Sequence, residues 1–189
     1  MTIKRLWHTF RLCTILSGTG RAVYLRKNHV FGSIGENVVF MNRKVPLYAN
    51  LIRIGNDVKI APHVSFLTHD IIHSMLNFKN SLSGGRRDYL ENIGCIEIMD
   101  NVFVGENVTI LNDVRIGSNS IISAGTVVTK DTPENSVIAG VPAKVICSMD
   151  EYPEKQKKRY PSEMAPKHQV VSKELENYMW EVFEKRRKD

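Results

Sequence analysis

The chain has 189 residues, with 26 Lys and Arg against 20 Asp and Glu, for a formal net charge of +6. That length allows one main domain with decorations. No apolar run approaches the ~20 residues of a membrane span, and nothing at the start reads as a cleavable secretory signal, because His8, Thr9 and Arg11 interrupt the apolar residues. Three widely spaced cysteines, Cys13, Cys95 and Cys147, form neither a metal pair nor a disulfide framework, so a reducing cytoplasm is the expected compartment.

Residues 1–30 hold Lys4, Arg5, Arg11, Arg21, Arg26 and Lys27 and no acidic residue. Ile3, Leu6, Trp7, Phe10 and Cys13 fall at i, i+3, i+4, i+7 and i+10, one apolar face of a helix. Lys4, Arg5, His8 and Arg11 occupy its other side. Two uses of the apolar face stay open: packing on the body or on a neighbouring subunit, and peripheral contact with an anionic membrane surface.

From residue 31 the pattern changes. An aliphatic residue returns at every sixth position: Ile98, Val104, Ile110, Ile116, Ile122 and Val128. Four residues after each come Val102, Val108, Val114, Ser120, Thr126 and Thr132, all small or β-branched. Asn101, Asn107, Asp113 and Asn119 sit three after the aliphatic position, where a tight left-handed turn suits them. Helices repeat at 3.6 residues and strands at 2, so a period of six needs another architecture. Each hexapeptide reads as a short strand plus a corner, with the aliphatic side chain pointing inward. Stacked coils of this kind form a parallel β-helix. The register appears earlier at Ile34, Ile54, Ile60 and Phe66, with a slip around residues 43–51.

From Phe66 to Ile98 is 32 positions, five hexapeptides plus two, so an insertion lies at about residues 70–95. Loops of that size in compact domains are usually functional. Gly84 and Gly85 give it a flexible point, and Arg86 and Arg87 could attract an anionic substrate. Charge over residues 31–149 is near neutral, which argues against a broad nucleic-acid surface. Residues 149–189 differ again, with Pro153, Pro161 and Pro166 before a charged helical stretch whose packed face holds Leu175, Tyr178, Met179 and Val182. The expected organisation is therefore an N-terminal helix and basic lead-in (1–30), an all-β solenoid (31–148) and a C-terminal helical extension (149–189).

The candidate site is the break in the repeat. His69 falls three residues after Phe66, at a corner of the last regular coil before the insertion. An imidazole near neutral pH can take a proton from a hydroxyl that would otherwise attack too slowly. Asp70 is the candidate to orient that ring, and His73 is the rival base or a substrate contact. His63 reads as a solvated corner beside the site. His8, His29 and His168 have no such context.

The segments IGENVV, IAPHVSFLTHD, MDNVFVGENVTIL and SAGTVVTKDTPENSVIAGVPAKVI together resemble the hexapeptide-repeat acyltransferases, with the likeness strongest to bacterial sugar O-acetyltransferases of the galactoside and maltose type. The closing segment is specific for the superfamily and much less so for substrate. The resemblance implies a left-handed coil, a homotrimer with active sites between subunits, and acetyl-CoA as donor with no metal. It makes His69 the base. It puts Gly105 of the VGEN turn, Ala124, Thr129 and Lys130 on the cofactor, and Lys144 near its phosphates. Galactoside-type relatives carry a small residue where this chain has Glu106. The implied reaction is acetyl transfer to a sugar hydroxyl in surface polysaccharide synthesis. Transfer to a sugar amine is a close variant. Carbonic anhydrases of the γ type share the solenoid and would need a zinc held by residues such as His63, His69 and His73. A non-catalytic assembly scaffold is a third class.

Overall fold

The six-residue period becomes three short strands per turn. The computed structural model describes residues 3–152, 160–166 and 170–187, which form two compact units, 1–150 and 151–189; Pro153 and His168 lie outside the described residues. In chain order the strands are β1 Ser33–Ile34, β2 Val39–Phe40, β3 Ile52–Ile54, β4 Lys59–Ile60, β5 Ser65–Leu67, β6 Ile96–Ile98, β7 Val102–Val104, β8 Thr109–Leu111, β9 Val114–Ile116, β10 Ser120–Ile122, β11 Val127–Val128, β12 Ser136–Ala139 and β13 Lys144–Ser148. They stack into three sheets, ordered β1-β3-β6-β9, β2-β4-β7-β10-β12-β13 and β5-β8-β11. Every pairing is parallel except β12 with β13.

Register follows the aliphatic positions. Ile34, Ile54, Ile98 and Ile116 stand in one column. Phe40, Ile60, Val104, Ile122 and Ile138 form the second, and Phe66, Ile110 and Val128 the third. All twelve are buried. The small residues behave as expected too: Val102, Val108, Val114, Ser120 and Thr126 are buried beside the columns. Asn101, Asn107, Asp113 and Asn119 turn the corners at φ of 54°, 58°, 56° and 54°. Asn tolerates that left-handed conformation better than most residues.

Two helices, not one, precede the prism: α1 Ile3–Thr14 and α2 Gly18–Lys27. They belong to the same compact unit as the coils. Ser17 caps α2 by accepting from the Gly20 N–H at 3.0 Å. Ala22 and Leu25 of α2 join Phe31 and Phe40 in the core and close the first coil. Of the uses left open for the α1 apolar face, packing on the body of the same chain does not occur. Ile3, Leu6, Trp7 and Phe10 are all exposed, and the buried residue of α1 is Leu12. The inward side is the half-polar one, where His8 Nδ1 meets the Tyr24 hydroxyl at 2.8 Å and Thr9 Oγ1 accepts from the Val45 N–H at 3.2 Å. Helical spacing defines an apolar face but not which surface it meets.

Arg21 fixes the α1–α2 turn to the first coil. It is 1% exposed. Its guanidinium donates to the carbonyls of Leu12, Ile15, Leu16, Phe40 and Met41 at 3.0–3.3 Å. Burial, then the nearby Arg43 charge, lowers its pKa from the ordinary arginine value.

The insertion between β5 and β6 contains a helix, which the loop reading missed. Helix α3 spans Ile72–Leu82 and buries none of its residues. Gly84, at φ 75°, ends it, with the Gly85 N–H returning to the Asn80 carbonyl at 2.8 Å. This is a left-handed glycine stop, so the glycines serve as a helix terminus where the sequence suggested a flexible point. In the second unit, α4 spans Lys173–Lys185 and is capped by Ser172, whose Oγ accepts from the Leu175 N–H at 3.2 Å. Leu175 is buried and Tyr178, Met179 and Val182 are half-buried, as the spacing predicts.

Two substitutions test this frame by chemical denaturation. Ile122→Ala removes packing from the middle of a column and should cost about 3 kcal/mol. Arg21→Met leaves buried carbonyls without donors and should cost about 2 kcal/mol or more; a loss within error for either variant contradicts the packing described.

Candidate functional site

At His63, three residues after Ile60, the backbone makes the regular left-handed corner with φ 60°. His69 holds the same place relative to Phe66 but makes no such corner. It bridges Ile93 in antiparallel fashion instead, and the chain runs out into the insertion. Two backbone bonds close the base, from the Gly94 N–H to the Thr68 carbonyl at 2.9 Å and from the Asp70 N–H to the Asn92 carbonyl at 3.1 Å. Thr68 is fully buried and donates through Oγ1 to the Leu47 carbonyl at 2.8 Å.

Strand β5 lies at the edge of its sheet. Asn42 substitutes for a missing neighbour strand there: its Nδ2 donates to the Val64 carbonyl at 2.6 Å and its Oδ1 accepts from the Val64 N–H at 3.0 Å. Beyond that edge lies a cleft of about 1000 Å³, into which His69 opens.

The His69 ring is half-buried. Its Nδ1 is shielded from solvent and has no hydrogen-bond partner, and the residue lines the cleft. Tyr48 stands edge-on to the ring, with centroids 5.2 Å apart and planes at 82°. Tyr48 itself is held at φ 50°, a conformation that bulky residues keep only under constraint. Its hydroxyl donates to the Glu91 carboxylate at 3.2 and 3.3 Å. That hydrogen bond, then burial, then the Glu91 charge raise the phenol pKa above its ordinary value.

Asp70 does not orient His69, contrary to expectation. Its Oδ2 accepts from Asn92 Nδ2 at 2.9 Å and its Oδ1 from the Ile72 N–H at 2.9 Å. The carboxylate therefore starts α3 and ties it to the returning strand. The Asn92 bond, then the Ile72 N–H, hold its pKa below the ordinary carboxylate value, with smaller help from the His73 and His69 charges. His73 sits in the first turn of α3, half-buried, and its Nδ1 is likewise shielded and unpartnered. Arg86 and Arg87 are exposed beyond α3 and do not line the cleft.

The residues assigned to the cofactor divide. Gly105 is buried and its N–H donates to the Ile122 carbonyl at 2.8 Å. A Cβ there would lie 2.6 Å from the Ala124 nitrogen. Gly105 thus lets two coils approach, and its N–H is not available to a ligand. Ala124, Thr129, Lys130 and Lys144 are exposed. Bonds from the Ala143 N–H to the Val127 carbonyl (2.9 Å) and from the Val127 N–H to the Gly140 carbonyl (3.1 Å) bring the start of β13 against β11. Thr129 and Lys130 follow β11, which lies two strands from β5, roughly 10 Å at strand spacing. Among the described residues no three His, Cys, Asp or Glu side chains of one chain gather in a way that could hold a metal. Tyr48, Glu91, Asn92 and Asn42 were not found from sequence. They lie in the slip and the insertion, where the repeat gives no register.

Residues 96–130 match the family described as bacterial transferase hexapeptide (six repeats). The galactoside O-acetyltransferase of Escherichia coli (strain K12) is 40% identical over 97 residues, covering 50% of this chain and 43% of that one. The Saccharomyces cerevisiae (strain ATCC 204508 / S288c) protein YJL218W is 40% identical over 120 residues, covering 62% and 56%. The chain spans about half the length of these two relatives. Among solved structures, a maltose O-acetyltransferase from Clostridium difficile 630 superposes with a TM-score of 0.56 at 29% identity, covering 77% of this chain and 84% of that one. The hexapeptide-repeat containing acetyltransferase VCA0836 from Vibrio cholerae gives 0.59 at 24%, covering 77% and 89%. The chain carries the hexapeptide repeat of the bacterial transferases. It has the left-handed parallel β-helix fold of the hexapeptide-repeat acetyltransferases and is similar to those acting on galactosides and maltose.

The Asp70 contacts give a testable pH dependence. Its folded pKa is depressed, so its contribution is complete above the ordinary carboxylate pKa and is lost as pH falls through the lower folded value. Amide protection over residues 72–92, taken relative to the intrinsic exchange rate at each pH, should be high at neutral pH and fall in acid below the ordinary carboxylate range. Asp70→Ala should show fast exchange at every pH; equal protection in the variant at neutral pH would refute this role.

Proposed function

We propose that this protein is an acyltransferase that moves the acetyl group of acetyl-CoA to a sugar hydroxyl, with His69 as general base. One observation carries the reading: a half-buried imidazole whose Nδ1 is shielded and unpartnered stands where the repeat breaks and lines a cleft, on a solenoid whose later coils bear Thr129, Lys130 and Lys144. The similarity to galactoside and maltose O-acetyltransferases supports the donor and the acceptor class.

On this reading the acceptor enters from the cleft beyond β5. Acetyl-CoA lies on the other side, along β8 and β11. Ala124 and Thr129 meet its pantetheine arm, and Lys130 and Lys144 offer point charges to its phosphates. Neutral His69 takes the acceptor hydroxyl proton through Nε2 as the oxygen attacks the thioester carbonyl. The tetrahedral intermediate collapses, the carbon–sulfur bond breaks, and the departing thiolate receives that proton from the imidazolium. Holding both reactants in one crevice supplies the proximity term. No enzyme nucleophile is needed; Cys13 and Cys95 are exposed and Cys147 is half-buried on β13. Tyr48 and Glu91 act through His69, by keeping its ring edge fixed. The coils would assemble as a homotrimer in the cytoplasm, in the service of surface polysaccharide synthesis.

The test is thiol release from acetyl-CoA across a panel of sugars, nucleotide-sugars and oligosaccharides. His69→Ala should lower turnover by about 10²–10⁴-fold, with acetyl-CoA binding and oligomeric state unchanged. Full activity in that variant would remove His69 as the base, and failure of the wild type to bind acetyl-CoA would remove the transferase reading.

A further inference from the structure

The cleft beside His69 is electrostatically one-sided. Arg5, Arg21, Arg43 and Lys44 line it with His63 and His69, and no Asp or Glu does. Its walls come from α1, Arg21 of α2, residues 41–47 and residues 62–69, which include the edge strand β5, and no residue of β8 or β11 lines it. Among the ion pairs of the described residues, none involves these four cations. The segment that supplies α1 adds no compensation, since residues 1–30 contain no Asp or Glu.

The four cations differ in what they can offer. Arg21 gives all three guanidinium nitrogens to backbone carbonyls, so its contribution is mainly charge. Arg43 gives Nη1 to the Cys13 carbonyl at 3.0 Å. Lys44 is exposed. Arg5 is half-buried, and its Nε is shielded from solvent with no hydrogen-bond partner. A charged donor in that state is costly unless something pairs with it, and a carboxylate or phosphate is the natural partner of a guanidinium. A neutral sugar would leave both the field and the Arg5 donor uncompensated. The size also fits, since clefts of about 300–1,000 Å³ take small ligands.

We propose that the acceptor is an anionic sugar, a glycan unit carrying a carboxylate or a phosphate, whose charged group sits against Arg5 and Lys44 while a hydroxyl reaches Nε2 of His69. This rests on the acetyl-transfer reading and narrows its acceptor class. Lys130 and Lys144, proposed for acetyl-CoA, do not line the cleft, so the two anions do not compete for the same cations.

The experiment uses the full-length protein and four acceptors: an oligosaccharide containing glucuronate, its carboxyl-reduced neutral counterpart, glucose 6-phosphate and glucose. Thiol release should favour the anionic member of at least one pair by about tenfold in kcat/KM, and added salt should shrink that preference. Which pair shows it distinguishes carboxylate from phosphate. Arg5→Gln and Lys44→Gln should each raise the KM for the anionic acceptor by about fivefold or more, with kcat and the acetyl-CoA KM unchanged. Lys44 is exposed, so that variant retains its fold even if Arg5→Gln does not. Equal use of neutral and anionic partners overturns the proposal, as does a shift in the acetyl-CoA KM instead. Calorimetry without acetyl-CoA separates the two levels. Binding of the glucuronate oligosaccharide that weakens in Lys44→Gln, with no transfer to any sugar, supports the anionic pocket and refutes the transferase reading. No binding of either anionic compound overturns the pocket whatever the activity.

Discussion

Each coil of the prism is joined to the next by peptide hydrogen bonds between parallel strands, and that ladder sets the spacing of everything else. Strands of two or three residues have little stability alone. Here they persist because each is one rung in a sheet of three to six and each of β1 to β12 delivers one apolar side chain to a buried column. The corners must then be tight, and Asn or Asp takes the left-handed turn at most of them. Side chains at the corners repeat the ladder outside. Asn101 donates to Asn119, Asn119 to Asn135, and Asn135 to Asp150, at 2.9, 2.7 and 3.0 Å.

A ladder this regular has no place for a loop except at a corner, and no place for an isolated polar group except where the ladder stops. Both conditions meet at residues 68–70. Strand β5 lacks a strand neighbour on its outer side, so Asn42 and the Leu47 carbonyl satisfy part of its edge. The insertion leaves where the next left-handed turn would have come. His69 is thereby fixed by backbone bonds on both sides while its ring faces a cleft. A catalytic group needs that combination, since a side chain on a loose loop would lose the proximity that holding two substrates provides.

Charge is distributed to match. On the sheet containing β3, β6 and β9, Glu97 lies between Arg53 and Arg115, at 3.9 and 2.7 Å, so that face is internally balanced. Around the cleft the cations have no such counterparts. The apolar face of α1 and the apolar residues of α3 are both exposed.

The solenoid was legible because its physics is local: a six-residue period, small residues beside the aliphatic ones and Asn or Asp at the corners all follow from one coil's geometry. The insertion was legible as a break in register, and His69 as the residue at that break. The face of α4 was readable for the same local reason. Tertiary structure decided the rest. Asp70 was paired with His69 by adjacency in sequence, yet its carboxylate is committed to Asn92 and the first turn of α3. Gly105 was assigned to the cofactor, yet its N–H is used by the neighbouring coil. Tyr48, Glu91 and Asn42 gained their positions from contacts across 22 to 43 residues of chain, and no periodicity encodes such distances. The outward face of α1 and the unbalanced cleft are also products of folding, because a sequence pattern states which residues share a side and only packing determines what that side meets.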